Sequence, residues 1–151
     1  MTPVSPSLDI YSVTTAIINS NKLSIPIQIS GSEVKNVETL GLIDSGAGGK
    51  FIDQIYARAA GFKLHKLETP LQAYNMDGTK NKRGTIKTYV NLDLEINGRK
   101  TSTDLLVTEL GKERIILGFS WLYEHNPDIN WKTGEFSWRE TRKQRLLNLP
   151  Q

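Results

Sequence analysis

Leu40-Gly41-Leu42-Ile43 is an apolar run that ends on a carboxylate followed by small residues, Asp44-Ser45-Gly46-Ala47-Gly48-Gly49. The run reads as a short strand over residues 38–44, with an ionisable group at its end. The glycines of the turn let other backbone approach closely and take dihedrals that residues with a β-carbon avoid. The Ser45 hydroxyl can hydrogen-bond across such a site. A catalytic aspartate is presented in this way, which makes Asp44 the candidate catalytic residue. Taken alone the tripeptide reads more readily as an ordinary turn, because Asp, Ser and Gly favour turns through local hydrogen bonds. The motif occurs once in the chain. Chemistry that runs on paired carboxylates would draw its second one from another copy.

The surrounding pattern is mostly that of strands. Residues 10–18 carry several β-branched side chains and read as a strand, with the polar turn Asn19-Ser20-Asn21-Lys22 after it. Leu23, Ile25, Ile27 and Ile29 then alternate with polar residues, the period of a half-buried strand, and Pro26 within it favours a sheet edge. Residues 50–60 change period. Phe51, Ile52, Ile55, Tyr56 and Ala59 follow helical spacing and Gly61 is a natural stop, which predicts a short helix that includes Asp53. Residues 69–76 and 84–96 read as strands about the hairpin signal Asp77-Gly78, and Asn97-Gly98 is a second such signal before a strand over 100–107. Arg114-Ile115-Ile116-Leu117-Gly118 is another apolar run. It leads into a helix over 119–125, stopped by Asn126-Pro127. Residues 128–138 read as a hairpin around Lys132-Thr133-Gly134, with Trp131, Phe136 and Trp138 as apolar anchors. The expected class is all-β, with one or two short helices.

The 151 residues suit one domain with a real core. Residues 1–8, rich in Pro and Ser, read as a disordered segment, 9–140 as the domain, and 141–151 as a basic, solvated tail. A net charge of +3 with scattered basic residues is too mild to argue for nucleic acid, and no direct nucleic-acid contact is expected. The absence of cysteine excludes disulfides, thiol nucleophiles and Cys-type zinc sites. No apolar run approaches the roughly 20 residues that span a bilayer, and residues 1–7 lack the pattern of a signal peptide. His65 and His125 are too few and too far apart for a metal site, and read as surface or helix-end residues. Asp93, Glu95, Asp104 and Asp128 read as solvated. Trp121, Trp131 and Trp138 read as core or dimer-interface anchors.

Three separated segments, in order and spacing, carry a resemblance. The first is Leu42-Ile43-Asp44-Ser45-Gly46-Ala47 with Gly49-Lys50-Phe51-Ile52-Asp53. The second is Tyr74-Asn75-Met76-Asp77-Gly78-Thr79. The third is Ile115-Ile116-Leu117-Gly118 with Trp121-Leu122, His125-Asn126-Pro127 and Ile129-Asn130-Trp131. Over residues 10–138 the chain resembles the retropepsin-like aspartic proteases of gypsy-type LTR retrotransposons. The resemblance implies an acid-protease barrel with one lobe per chain, active as a two-fold homodimer. It implies that Asp44 is the catalytic aspartate and that the Ser45 hydroxyl grips the opposite subunit's loop. Gly46 would be a close-approach glycine, with Ala47 beside it in the active-site loop. Tyr74, Asn75, Met76, Asp77 and Gly78 would belong to a flap hairpin that closes over substrate, and Leu117 and Gly118 to the strand end packed behind the loop.

The activity so implied is self-processing of a polyprotein, on extended peptide segments, with no metal, no cofactor and no membrane. The setting implied is cytoplasmic, virus-like particles included. One departure stands out. The family usually has Thr, Ser or Asp after the Asp-Ser-Gly-Ala run, where this chain has Gly48. It leaves open a second reading, a catalytically weak or inactive module for dimerisation or peptide binding. A third, a cellular protein like the DNA-damage-inducible proteases, is disfavoured by the lack of a ubiquitin-like or ubiquitin-binding segment.

Overall fold

Ile25, Ile27 and Ile29 are buried, while Ser24, Pro26 and Gln28 between them are exposed, so the alternation in the sequence is the inside-outside alternation of a strand. In the computed structural model, which describes residues 22–31, 34–74 and 80–139, this is β1 (Lys22–Gly31). It pairs antiparallel with β2 (Val34–Asp44), Lys22 opposite Asp44. There follow β3 (Lys50–Asp53), α1 (Gln54–Ala59), β4 (His65–Tyr74), β5 (Lys80–Ile96) and β6 (Arg99–Thr108). The described chain continues with β7 (Ile115–Leu117), α2 (Phe119–His125), and the hairpin β8 (Asp128–Asn130) and β9 (Glu135–Ser137). The expected strand over 10–18, the segment 1–8, the tail 141–151 and the Asp77-Gly78 turn lie outside the described residues.

The large sheet runs β1-β2-β7-β3-β6-β5-β4. Gln28, Ile29 and Ser30 of β1 also pair with β5, so six strands close into a barrel and β4 hangs on β5 outside the ring. Closure leaves no free edge around the ring at that point. Pro26 lies beyond the β1–β5 pairing, where its missing amide costs no ladder bond on that side. Asn97 and Gly98 both have positive φ (47° and 85°), as the tight turn between β5 and β6 demands. The fold is the mostly β barrel that the resemblance implied, with two short helices.

The three strands around the motif are buried on both faces. Ile43, Ile52, Ile115 and Leu117 point into the barrel core with Ile27, Ile29, Val90, Leu94, Leu105 and Trp121. Their neighbours Leu42, Phe51 and Ile116 point the other way, into a second cluster with Ala47, Ile86 and Leu110. Two-sided burial explains why β2 and β7 read as continuous apolar runs. Each fully buried Ile or Leu contributes about 1.5–3 kcal/mol of transfer free energy, so the strands that carry the motif are firmly held.

The helix expected over 50–60 is half right. Lys50–Asp53 is a strand, parallel to β6 and antiparallel to β7. Only Gln54–Ala59 is helical, and Ile55, expected on its buried face, is 76% exposed. Phe51 and Ile52 coincide with helical spacing, but as a strand they fill two clusters at once. Asp53 is the N-cap: its Oδ2 accepts from the Tyr56 amide at 3.1 Å, and its Oδ1 from the Leu110 amide at 2.9 Å. After α1, Gly61 (φ 78°) donates to Arg58 O and Phe62 to Ala57 O, a Schellman stop of the kind the glycine predicted. α2 ends on Asn126 in the left-handed region with Pro127 next, also as expected.

β4 begins at His65, four residues earlier than expected. Between Lys66↔Thr88 and Leu71↔Ile86 the register shifts, and Pro70 sits in that irregular stretch. A proline there hides the strand from a pattern reading without breaking its ladder. β5 likewise begins at Lys80, before Gly84, whose φ of 77° marks a local break inside the strand. Among the described residues, no helix is long and apolar enough to cross a membrane.

Candidate active site

Asp44 is the last residue of β2 and is fully buried. β2 and β3 flank the short strand β7: Leu42 and Ile43 pair parallel with Ile116 and Leu117, while Lys50 and Phe51 pair antiparallel with Leu117 and Ile116. Residues 45–49 must therefore cross over the end of β7 to pass from one flank to the other. The crossing is closed locally by the Ala47 amide donating to Asp44 O at 3.1 Å and by the Gly46 amide donating to Asp44 Oδ1 at 2.9 Å. The second bond fixes the direction of the carboxylate from within its own turn.

Gly118 follows β7 and caps α2. The amides of Gly118, Phe119 and Ser120 donate to the carbonyls of Gly49 (2.8 Å), Ala47 (2.7 Å) and Gly48 (3.0 Å). The first amides of any helix have no partner within the helix; here they hold the motif loop from behind. Gly118 has no room for a side chain, since a β-carbon would overlap the carbonyl oxygens of Ala47 and Gly49. Gly118 is thus a close-approach glycine behind the loop, and Gly46 donates its amide to Asp44. Ala47 is buried in the second cluster, and Ser45 and Gly46 are half-buried. Gly48 is exposed, lies outside the left-handed region, and has open space where a side chain would stand.

The β4–β5 hairpin approaches the same region. Ile86, opposite Leu71, packs with Ala47, Phe51 and Leu42. The two arms are still paired at Tyr74↔Lys80. Asn75, Met76, Asp77 and Gly78 lie beyond that pair, outside the described residues. Leu117 is buried in the barrel core directly under the crossing loop.

Asp53, His65 and His125 sit elsewhere. Asp53 is held by two backbone amides away from the motif. His65 stacks on Tyr89 with ring centroids 5.2 Å apart. His125 ends α2 between Trp121 and Trp138, at 4.8 and 6.1 Å between centroids, and burial lowers its pKa. Lys50 reaches Glu124 of α2 at 3.8 Å, a half-exposed pair of small energetic weight. Among the described residues no group of three His, Asp or Glu side chains is placed to hold a metal ion.

Sequence reasoning missed the bracing by the α2 amides. Its only trace is a glycine between an apolar run and a helix. It also grouped the three tryptophans; the fold packs Trp121 against Trp138, ring centroids 5.8 Å apart, and leaves Trp131 out of that cluster. Trp121 is buried, Trp138 is half-buried and donates Nε1 to Ile96 O at 2.8 Å, and Trp131 is 39% exposed.

A family model for the PEG10/RTL1 protease domain matches residues 40–145. Two solved structures share the fold. The retroviral protease-like domain of Ddi1 from Leishmania major has a TM-score of 0.52 at 14% identity, covering 79% of this chain and 90% of its own. The EIAV protease, complexed with the inhibitor HBY-793, has a TM-score of 0.50 at 14% identity, covering 72% of this chain and 92% of its own. With the motif loop, its bracing helix and the barrel in place, the chain belongs to the PEG10/RTL1 family of retrotransposon-derived, retropepsin-like protease domains.

Proposed function

We propose that this domain is an aspartic endopeptidase whose active species is a homodimer, with Asp44 of each copy forming one catalytic pair. The observation that carries the reading is the placement of Asp44: a buried carboxylate at a strand end, one oxygen held by the Gly46 amide, in a loop braced by the Gly118 amide and the first two amides of α2. Two carboxylates about 3 Å apart cannot both ionise, so the pair holds one shared proton. The ionised member takes a proton from water as the water attacks the scissile carbonyl. The protonated member donates to the carbonyl oxygen. Breakdown of the tetrahedral intermediate passes a proton to the leaving amine, and the pair titrates as a unit. The substrate is an extended peptide lying under the β4–β5 hairpin, bound through its main chain and by pockets for alternate side chains. The natural substrate on this reading is the polyprotein that contains the domain.

Cleavage of a mixed peptide library at about pH 5 and about pH 7, a window suited to a shared-proton pair, tests this, with Asp44→Asn and pepstatin as controls. Cuts that vanish with both are the expected result. Undiminished cutting by Asp44→Asn would sink it.

Gly48 supports a second reading, a module that binds extended peptides and cuts them weakly or not at all. The exposed site next to the loop carries no hydroxyl or carboxylate, yet has room for one. Peptide affinity that survives Asp44→Asn, with no cutting by the parent chain, is what this reading expects.

A further inference from the structure

Phe119, Tyr123 and Trp131 are large apolar side chains left 57%, 78% and 39% exposed. They lie along one groove of about 520 Å³, whose lining also includes Ser45. Phe119 and Tyr123 stand one turn apart on α2, with ring centroids 6.1 Å apart. Leu40, Ile55 and Leu71, the other large apolar side chains exposed among the described residues, do not line this groove.

The groove and the motif loop form one unit. Ser45 is adjacent to Asp44, and the amides of Gly118, Phe119 and Ser120 tie α2 to the loop. If a second Asp44 must come within about 3 Å of the first, the partner's loop must reach Ser45, which puts the partner's surface at the rim of this groove. The loop is made of small residues and can bury little area. A stable interface needs about 800 Å² on each side, so most of it must come from what adjoins the loop. A two-fold interface also sets each patch against its own copy. Among the described residues Arg139 is the one charged residue lining the groove, so like-charge repulsion across the axis is slight.

We infer that the face formed by Phe119, Tyr123 and Trp131 is where a second copy of the chain seats, and that it supplies most of the apolar area holding the two loops together. This deepens the catalytic-pair reading and rests on it. It also gives a role to Trp131, which the core does not absorb.

The test uses the full chain and two variants, Tyr123→Glu and Trp131→Glu, followed by sedimentation velocity over a concentration series and by circular dichroism. The expected result is a dimer dissociation constant raised at least tenfold, with an unchanged spectrum for Tyr123→Glu, whose side chain is 78% exposed. Cleavage per chain should fall at low concentration and recover at high concentration. If Tyr123→Glu does not fold, Tyr123→Ser gives the same readout with a milder change. Variants that dimerise as tightly as the parent, or a parent that stays monomeric while it cleaves, overturn the inference. So does the case in which residues 140–151 of the same chain cover the face; their deletion then lowers the melting temperature while Tyr123→Glu leaves association unaltered. Failure of the catalytic reading is separate: Asp44→Asn would then cleave normally, whatever the sedimentation of Tyr123→Glu.

Discussion

Gly118 lies so close to Ala47 that a β-carbon on it would overlap the Ala47 carbonyl oxygen, the same oxygen that accepts from the Phe119 amide at 2.7 Å. The end of β7 and the motif loop are thus packed backbone on backbone. Gly118→Ala is expected to cost about 2–3 kcal/mol, in the range of overpacking a tight site. Urea unfolding measures it. Because the displaced atoms belong to the loop, cleavage should fall further than the loss of folded protein explains. A variant as stable as the parent would show that the loop yields easily.

Asp53 closes two distant amides with one carboxylate, Tyr56 at 3.1 Å and Leu110 at 2.9 Å. Asp53→Ala removes a helix cap, worth about 1 kcal/mol, and orphans a buried amide, worth about 1–3 kcal/mol. A loss of about 2–4 kcal/mol is expected. Asp53→Asn keeps one acceptor oxygen and should lose clearly less. Chemical denaturation of the two variants side by side checks the order.

Gly48 has nothing within 4 Å of an added β-carbon and is not in the left-handed region. Gly48→Ala restricts the unfolded chain without straining the folded one, and is expected to stabilise by about 0.4–1 kcal/mol. Its carbonyl bond from Ser120 is a backbone bond and should persist. A lowered melting temperature would count against the open geometry.

His125 is flanked by Trp121 and Trp138, and burial is the largest influence lowering its pKa. Glu124 pulls the other way, while Lys50 and Arg99 add to the lowering. As pH falls through about 6.5, the unfolded chain takes up the proton before the folded chain does. The unfolded state then binds more protons, so stability falls as pH drops from about 7 toward 5 and is unaffected above that window. His125→Gln should flatten the slope of unfolding free energy against pH in that interval. An unchanged slope would assign the loss to other groups.

The local chemistry was legible in the residues. Alternation gave β1, paired positive-φ residues gave the Asn97-Gly98 turn, Gly61 and Asn126-Pro127 ended the helices, and the apolar run into Asp44-Ser45-Gly46 delivered the motif. Where patterning misled, the reason was a competing use of the same residues. Phe51 and Ile52 fit a helical period but serve as a strand buried on both faces, and Ile55, grouped with them, faces solvent.

By itself the sequence determined that β1 is extended, where β5 turns into β6, where the two helices stop, and that one carboxylate ends an apolar strand, because periodicity and turn residues are local properties of the chain. Only the tertiary structure decided that β7 runs between β2 and β3, that the amides of Gly118, Phe119 and Ser120 hold the loop 45–49, and that Phe119, Tyr123 and Trp131 remain uncovered beside Ser45. The strand pairings and loop contacts among those relations join residues more than sixty positions apart. They depend on barrel closure and on which face of α2 the core leaves over, and no local pattern encodes either.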